Sequence, residues 1–197
     1  MKKYELTEET VTVYGKTLYR IRAVRDFGSV KTGEFGGYIE KEENLSHFGN
    51  AWVSGNAWVF DNARVYDDTW VYGNARVYDN AWVYDNAWVF GNAKVYDDAW
   101  VCGDAKVYGD AWVSGNAEVF NTMHFFVQGP IGSRNGFITF YRTKDNTVEV
   151  RCGCFSGSLQ KFVDRVEETH GGSRYEKEYK LAAELAKVCI RLEGESR

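Results

Sequence analysis

The sequence predicts a mainly β chain: a three-sided parallel β-helix of six-residue repeats, with a short β N-terminal cap and a small C-terminal α+β domain. Three observations carry that expectation. From Val53 to Val119 a valine recurs every six residues, twelve times without a gap, and an alanine stands two residues before each except at Thr69. Reading every eighteenth residue gives an unbroken column of Gly37, Gly55, Gly73, Gly91 and Gly109. After Phe120 the period stops, and alternating apolar runs give way to helical spacing.

The repeat reads Gly or Asp, Asn or Asp, Ala, any residue, Val, then Tyr or Phe, as in the segment DNAWVY at residues 79–84. Alanine and valine are two apart, so in a strand they share one face, and their neighbours share the other. The Gly/Asp–Asn/Asp pair tolerates left-handed or tight-turn backbone. A corner every six residues leaves strands too short for hairpins. Such strands suit a coil in which each stacks in parallel on the next turn. The glycine column, together with Trp52, Trp70 and Trp88 at the same spacing and Asp61, Asp79 and Asp97 in a second turn column, indicates three sides per coil. Residues 49–121 then make about four coils, rising roughly 20 Å at ~4.8 Å per strand.

This pattern resembles the hexapeptide repeat of left-handed parallel β-helix proteins, best known from trimeric acyltransferases. The resemblance covers residues 49–121 and implies the left-handed sense, which periodicity alone does not set. One departure stands out. The position after the valine, usually small or acidic in that family, is Tyr or Phe in nine of twelve repeats.

The flanks are assigned to residues 1–48 and 122–197. In the first, YELT, TVTVYG and TLYRIRAV read as strands turning at Tyr14-Gly15-Lys16, and GEFGGYIEKEENLSHFGN leads into the prism and caps its first coil. In the second, three strands are expected in FFVQG, GFITFYR and TVEVRCGCF, then two helices. Leu159, Phe162, Val163 and Val166 form an i, i+3, i+4, i+7 stripe, with Gly171 as C-cap. Ser173 and Glu176 form a capping box. The last helix is expected to bury Tyr175, Tyr179, Ala182, Leu185, Ala186 and Cys189. GEFGGYIEKEENLS, GPIGSRNGFITFYRTKDN and CGCFSG are similar to hexapeptide-repeat proteins of phages and prophages, which implies an origin rather than an activity.

Composition narrows the function classes. A formal charge of −4 lacks the basic footprint of a general nucleic-acid binder. Residues 49–121 hold ten acidic against four basic side chains, net −6, so no nucleic acid is expected at the β-helix. The N-terminal stretch has no apolar h-region, and no apolar run approaches membrane-spanning length. The four scattered cysteines (Cys102, Cys152, Cys154, Cys189) read as reduced thiols. Together these place the chain in the cytoplasm, that of a host if it is phage-encoded.

An acyltransferase needs a histidine base, and the chain offers only His47, His124 and His170, none inside the repeats. No catalytic residue and no cofactor is assigned, and acetyl-CoA-dependent acyl transfer remains the alternative function. Cys152 and Cys154, two apart in a strand, read as small buried residues rather than metal ligands. The acidic turn residues read as solvated corners, and no metal is expected. Ser133 and Arg134 in the loop GPIGSRNG, with Arg142 and Arg151 on strands, form the best anion-binding candidate. The outward aromatics are the anomaly, since soluble chains rarely expose broad apolar patches. Their plain reading is a ladder of stacked rings with Arg and Lys laid across it. The functional reading makes Trp52, Trp70, Tyr72, Trp88, Phe90 and Tyr108 an interface for a homodimer, homotrimer or host protein. The expected function is therefore non-enzymatic: an interaction scaffold, possible as a phage inhibitor of a host or defence factor.

Overall fold

The computed structural model describes residues 2–194. Strands β1 (Tyr4–Val13) and β2 (Lys16–Ala23) pair antiparallel, joined at the anticipated turn, where Tyr14 and Gly15 both have positive φ (49° and 77°). Two positive φ values in a two-residue loop match the right-handed twist of the strands they join. Strand β3 (Phe35–Ile39) adds to β2.

Twelve two-residue strands follow, β4 (Trp52–Val53) through β15 (Glu118–Val119), one per repeat. Each of the first nine pairs in parallel with the strand eighteen residues on, so the twelve sort into three stacks. One stack runs Trp52, Trp70, Trp88, Lys106; a second Trp58, Arg76, Lys94, Trp112; the third Arg64, Trp82, Trp100, Glu118. The chain is thus a β-solenoid of about five turns. The added turn comes from residues 35–48, where Tyr38 pairs with Trp58, Ile39 with Val59 and Leu45 with Val65. Periodicity missed it because GEFGGYIEKEENLS carries Ile39 and Leu45 inward without the Ala-x-Val signature.

All twelve repeat valines and their alanines are at most 1% exposed and form one continuous core. Fully burying one valine contributes roughly 1.5–3 kcal/mol relative to leaving it in water. Thr69 takes an alanine site with its hydroxyl buried and unbonded.

The corners are more than solvated loops. Their first residue is left-handed in every column, whether Gly (Gly73, φ 74°) or Asp (Asp79, φ 56°; Asp85, φ 58°; Asp97, φ 57°). Asp85 Oδ2 accepts from Gly103 N and Asp97 Oδ2 from Gly115 N, both at 3.1 Å, tying each coil to the next. The second corner residue forms amide ladders: Asn62 donates to Asn80 and Asn80 to Asp98 at 3.1 Å, and Asn74 to Asn92 at 3.1 Å.

The N-terminal strands close one end. Tyr4 is buried, donates to Leu45 O (2.7 Å) and stacks on His47 (4.3 Å). Buried Lys3 donates to Ala51 O (2.7 Å). Hairpin residues Val13 and Leu18 cover Phe60.

At the other end stands an antiparallel sheet of four strands, not three: β16 (Phe125–Ile131), β17 (Gly136–Arg142), β18 (Val148–Cys152) and β19 (Phe155–Ser158), hydrogen-bonded in that order. Gly153 (φ 58°) turns the chain between Cys152 and Cys154. What read as one strand is therefore two, and Cys154 is exposed rather than buried. The β17 alternation divides its sides. Ile138 and Phe140 meet helices α1 (Leu159–His170) and α2 (Arg174–Cys189), while Thr139 and Tyr141 meet the last coil. Trp112 N has no further coil to donate to and donates instead to Thr139 Oγ1 (2.9 Å).

Gly171 ends α1 as anticipated, but the capping box forms only by half: the Ser173 hydroxyl accepts from Glu176 N, while the Glu176 carboxylate accepts from Gly172 N (2.7 Å) rather than from Ser173 N, which donates to His170 O. The α2 face is rotated from expectation. It buries Tyr179, Ala182, Ala183 and Ala186, whereas Leu185 (46% exposed) and Cys189 lie outside. Alanines allow close approach to the sheet, and this small-residue face outcompetes the leucines.

Candidate functional site

The outward rings stack from coil to coil as ladders. Tyr72, Phe90 and Tyr108 form one (4.9 and 5.7 Å between centroids), and Phe60, Tyr78 and Tyr96 another (5.1 and 5.0 Å). Tyr66 stacks on Tyr84 (5.1 Å) and Trp82 on Trp100 (5.7 Å). Cations lie across them, with Arg64 over Trp82 (5.7 Å), Lys144 over Trp100 (4.1 Å) and Arg151 over Tyr96 (5.2 Å). Such contacts are worth ~0.5–1.5 kcal/mol per ring pair and ~0.5–1 kcal/mol per exposed cation–ring pair.

The six proposed interface residues share one stack and its neighbouring column, but Trp52 does not belong to a surface. It is 0% exposed, held between Tyr4 (6.4 Å) and Phe27 (5.3 Å) of the N-terminal cap. The cap buries it because the first coil would otherwise end in bare apolar surface. Trp70, Tyr72 and Phe90 are half-buried, and Trp88 and Tyr108 are exposed (40% and 46%). Among the described residues these two are the only repeat aromatics classed as exposed. Tyr108 also packs edge-on to Phe125 (5.6 Å), which ties the patch to the C-terminal sheet.

The anion-binding set divides. Arg142 is 2% exposed and already engaged: it donates to Glu118 (2.7 Å) and Glu193 (2.8 Å) and lies over Phe120 (4.8 Å). It clasps the last coil to the chain's C-terminal segment, so it is removed from the candidate set. Ser133, Arg134 and Arg151 do come together, on the wall of a cleft of about 1540 Å³ between the solenoid and the C-terminal domain. Arg151 is partly occupied, donating to Ser114 Oγ (2.8 Å). The opposite wall carries Arg76, Lys94 and Trp112, and one flank of α1 adds Lys161 and Arg165. Sequence reading missed these four cations as cleft residues. Eighteen-residue arithmetic does place Arg76 beside Lys94, but nothing in the pattern says where the C-terminal domain folds back.

The three histidines stand apart from one another, and only His170 lines the cleft. His47 stacks on Tyr4 and accepts from Lys3 N (3.3 Å). His124 is buried, its Nε2 bonded to the Asn121 amide (3.0 Å) and its Nδ1 without a partner. Burial, then the nearby Arg142 charge, holds its pKa down to about 4. His170 packs against Tyr179 (5.5 Å). In the cleft, burial raises the pKa of the Cys152 thiol, so the thiolate is disfavoured there. Among the described residues no cluster of three or more His, Cys, Asp or Glu has metal-holding geometry, and no helix is long and apolar enough to cross a membrane.

No curated protein matches the chain. A profile of the YdcK beta solenoid repeat does match, over residues 57–73 and 71–85, and in that segment the chain is similar to this repeat family.

Proposed function

We propose that the protein is a non-enzymatic binding scaffold, a three-sided, left-handed prism whose barest aromatic face engages a second copy of the chain or another protein. The observation that carries the reading is the exposure of Trp88 and Tyr108 on adjacent columns of one face, Trp88 remaining exposed even with Lys106 over its ring (5.0 Å), while the hairpin, Lys144 and Arg151 lie on other ladders. Tryptophan and tyrosine supply most interface hot spots because they bury large rigid area at little entropic cost. The stacked rungs beneath hold these rings in place before any partner arrives, which lowers the ordering cost of binding. The phage-like flanks favour a host or defence protein in the cytoplasm as the foreign partner.

The test compares wild type with a Trp70→Ala/Trp88→Ala variant in light scattering and in capture from host lysate. Loss of self-association, or of one specific captured protein, supports the reading. A strict monomer that retains the same proteins as its variant overturns it. An acyl-transfer assay separates the acyltransferase alternative: release of free coenzyme A thiol from acetyl-CoA in the presence of acceptor amines or hydroxyls would replace the scaffold reading, whereas binding of acetyl-CoA without turnover would not.

A further inference from the structure

The column Trp58, Arg76, Lys94, Trp112 puts two cations on adjacent rungs, in register. Neighbouring rungs are ~4.8 Å apart, where like charges repel. Each cation has a ring on its far side, Arg76 over Trp58 (4.3 Å) and Lys94 over Trp112 (4.0 Å), but among the described residues neither has a carboxylate partner. Burial, and then Arg76 alongside, push the Lys94 ammonium below the usual lysine pKa. Across the cleft, Arg134 and Lys161 also form no ion pair among the described residues. Of the cleft's own acids, Glu168 pairs with Arg165 (2.8 Å), while Asp164 and Asp110 accept only from the amides of Gln160 (2.8 Å) and Asn92 (2.9 Å), which bring no balancing charge. The cleft lining thus holds six cations, Arg151 and Arg165 included, against three acids, an excess of three positive charges. That charge calls for an anion of at least two charges, supplied from outside.

The same space has an apolar part. Trp112 and Phe155 line it, and so does Phe137, which stands 38% exposed on β17. Its volume exceeds the ~300–1,000 Å³ of ordinary small-ligand pockets, leaving room for a ligand of several parts. Guanidinium groups match phosphate oxygens in a two-pronged fashion, and aromatic side chains seat planar rings.

We propose that this cleft binds a nucleotide carrying two or more phosphates, with Arg76, Lys94, Arg134 and Lys161 holding the phosphates and Trp112 and Phe137 flanking the base. The site is separate from the aromatic face and does not depend on it.

Calorimetry on the full chain at low salt, with ADP, pyrophosphate and adenosine as probes, tests it. ADP should bind about tenfold or more tighter than pyrophosphate, the scale of one base stacking on a ring, and adenosine should bind weakest. Arg76→Gln/Lys94→Gln should weaken ADP and pyrophosphate alike by at least about tenfold, as expected for lost charge-assisted bonds. Phe137→Ala should weaken ADP only. Because Arg76 and Lys94 sit in the ladder, Arg134→Gln, on an exposed loop, repeats the charge test without touching the coil. Lys31→Gln, in the N-terminal cap, should change nothing. The proposal is overturned by no heat with ADP and pyrophosphate, or by both charge variants binding like wild type. Pyrophosphate binding as tightly as ADP overturns the base seat.

Discussion

Replacing Gly73 tests whether left-handed backbone or open space is what the corners require. Gly73 has φ +74°, and a Cβ there would lie 3.2 Å from the nitrogen and oxygen of Gly91 in the next coil. For alanine the left-handed conformation costs roughly 1–2 kcal/mol. The smaller conformational freedom of the unfolded chain offsets about 0.4–1 kcal/mol of that. Crowding against Gly91 adds a further part, so Gly73→Ala should destabilise by about 1 kcal/mol. Gly73→Asp should do better despite its greater bulk. Asp85 has the same backbone (φ 58°) and also stands beneath a glycine, and its carboxylate accepts from Gly103 N at 3.1 Å. A new bond of that kind to Gly91 N is worth about 1 kcal/mol, which places Gly73→Asp within ~0.5 kcal/mol of wild type by the sum of these terms. Urea titration followed by tryptophan fluorescence measures both variants under one protocol. If aspartate costs as much as alanine, or more, the account of the Asp corners as inter-coil ties is wrong.

Other predictions follow from single contacts. Arg142→Met should cost about 2–3 kcal/mol, below the full loss of a buried pair because Glu193 is 68% exposed and its share is screened; scanning calorimetry reads it, and a loss under ~0.5 kcal/mol would refute the clasp. Gly132→Ala should destabilise the C-terminal domain by about 3 kcal/mol, since its Cβ would meet the Tyr179 hydroxyl at 1.9 Å and φ is +73°; an unchanged melting temperature would show that Tyr179 moves freely. His124 has a folded pKa of about 4 against an ordinary 6.5, so the unfolded chain binds its proton first. That contribution is intact above pH 6.5 and declines as pH falls toward 4, and in His124→Gln that part of the pH dependence should vanish from denaturation curves. Lys3 follows the same sign at higher pH. Burial, then Arg25, lowers its folded pKa to about 8, so wild type should gain stability relative to Lys3→Met as pH rises from 8 toward 10.

The sequence reading succeeded where one residue's role repeats. Ala-x-Val says which side chains point inward, and eighteen-residue order says which rungs are neighbours, because both are local geometry applied many times. It failed where contacts are unique and distant. Trp52 carries the same signature as Trp70, yet it is core because residues 3–27 happen to fold over it. Arg142 resembles Arg134 in composition, but only its position beside Glu118 and Glu193 makes it structural. The Cys152–Cys154 segment looked like one strand because glycine at 153 signals a turn only weakly in a β run. The cleft's cations come from three separated segments, so no window of sequence contains the site.

The pairing of each residue with the one eighteen places on also bears on how such a chain could change over generations. Gain or loss of eighteen codons within residues 49–121 would add or remove one whole rung, lengthening or shortening the prism by ~4.8 Å while both end structures keep their ladders. Gain of six would instead turn everything beyond the insertion onto the next side: upstream of Trp100 the C-terminal sheet keeps its own last coil, Thr139 with Trp112 and Lys144 with Trp100, but stands over a different stack from the N-terminal hairpin, and between Arg76 and Trp112 the insertion also breaks the column that lines the cleft. The molecule is a ruler that tolerates recalibration only in whole turns, and its two proposed surfaces answer differently: the aromatic face grows with length, whereas the cleft keeps its column only if what is inserted between Arg76 and Trp112 is a multiple of eighteen.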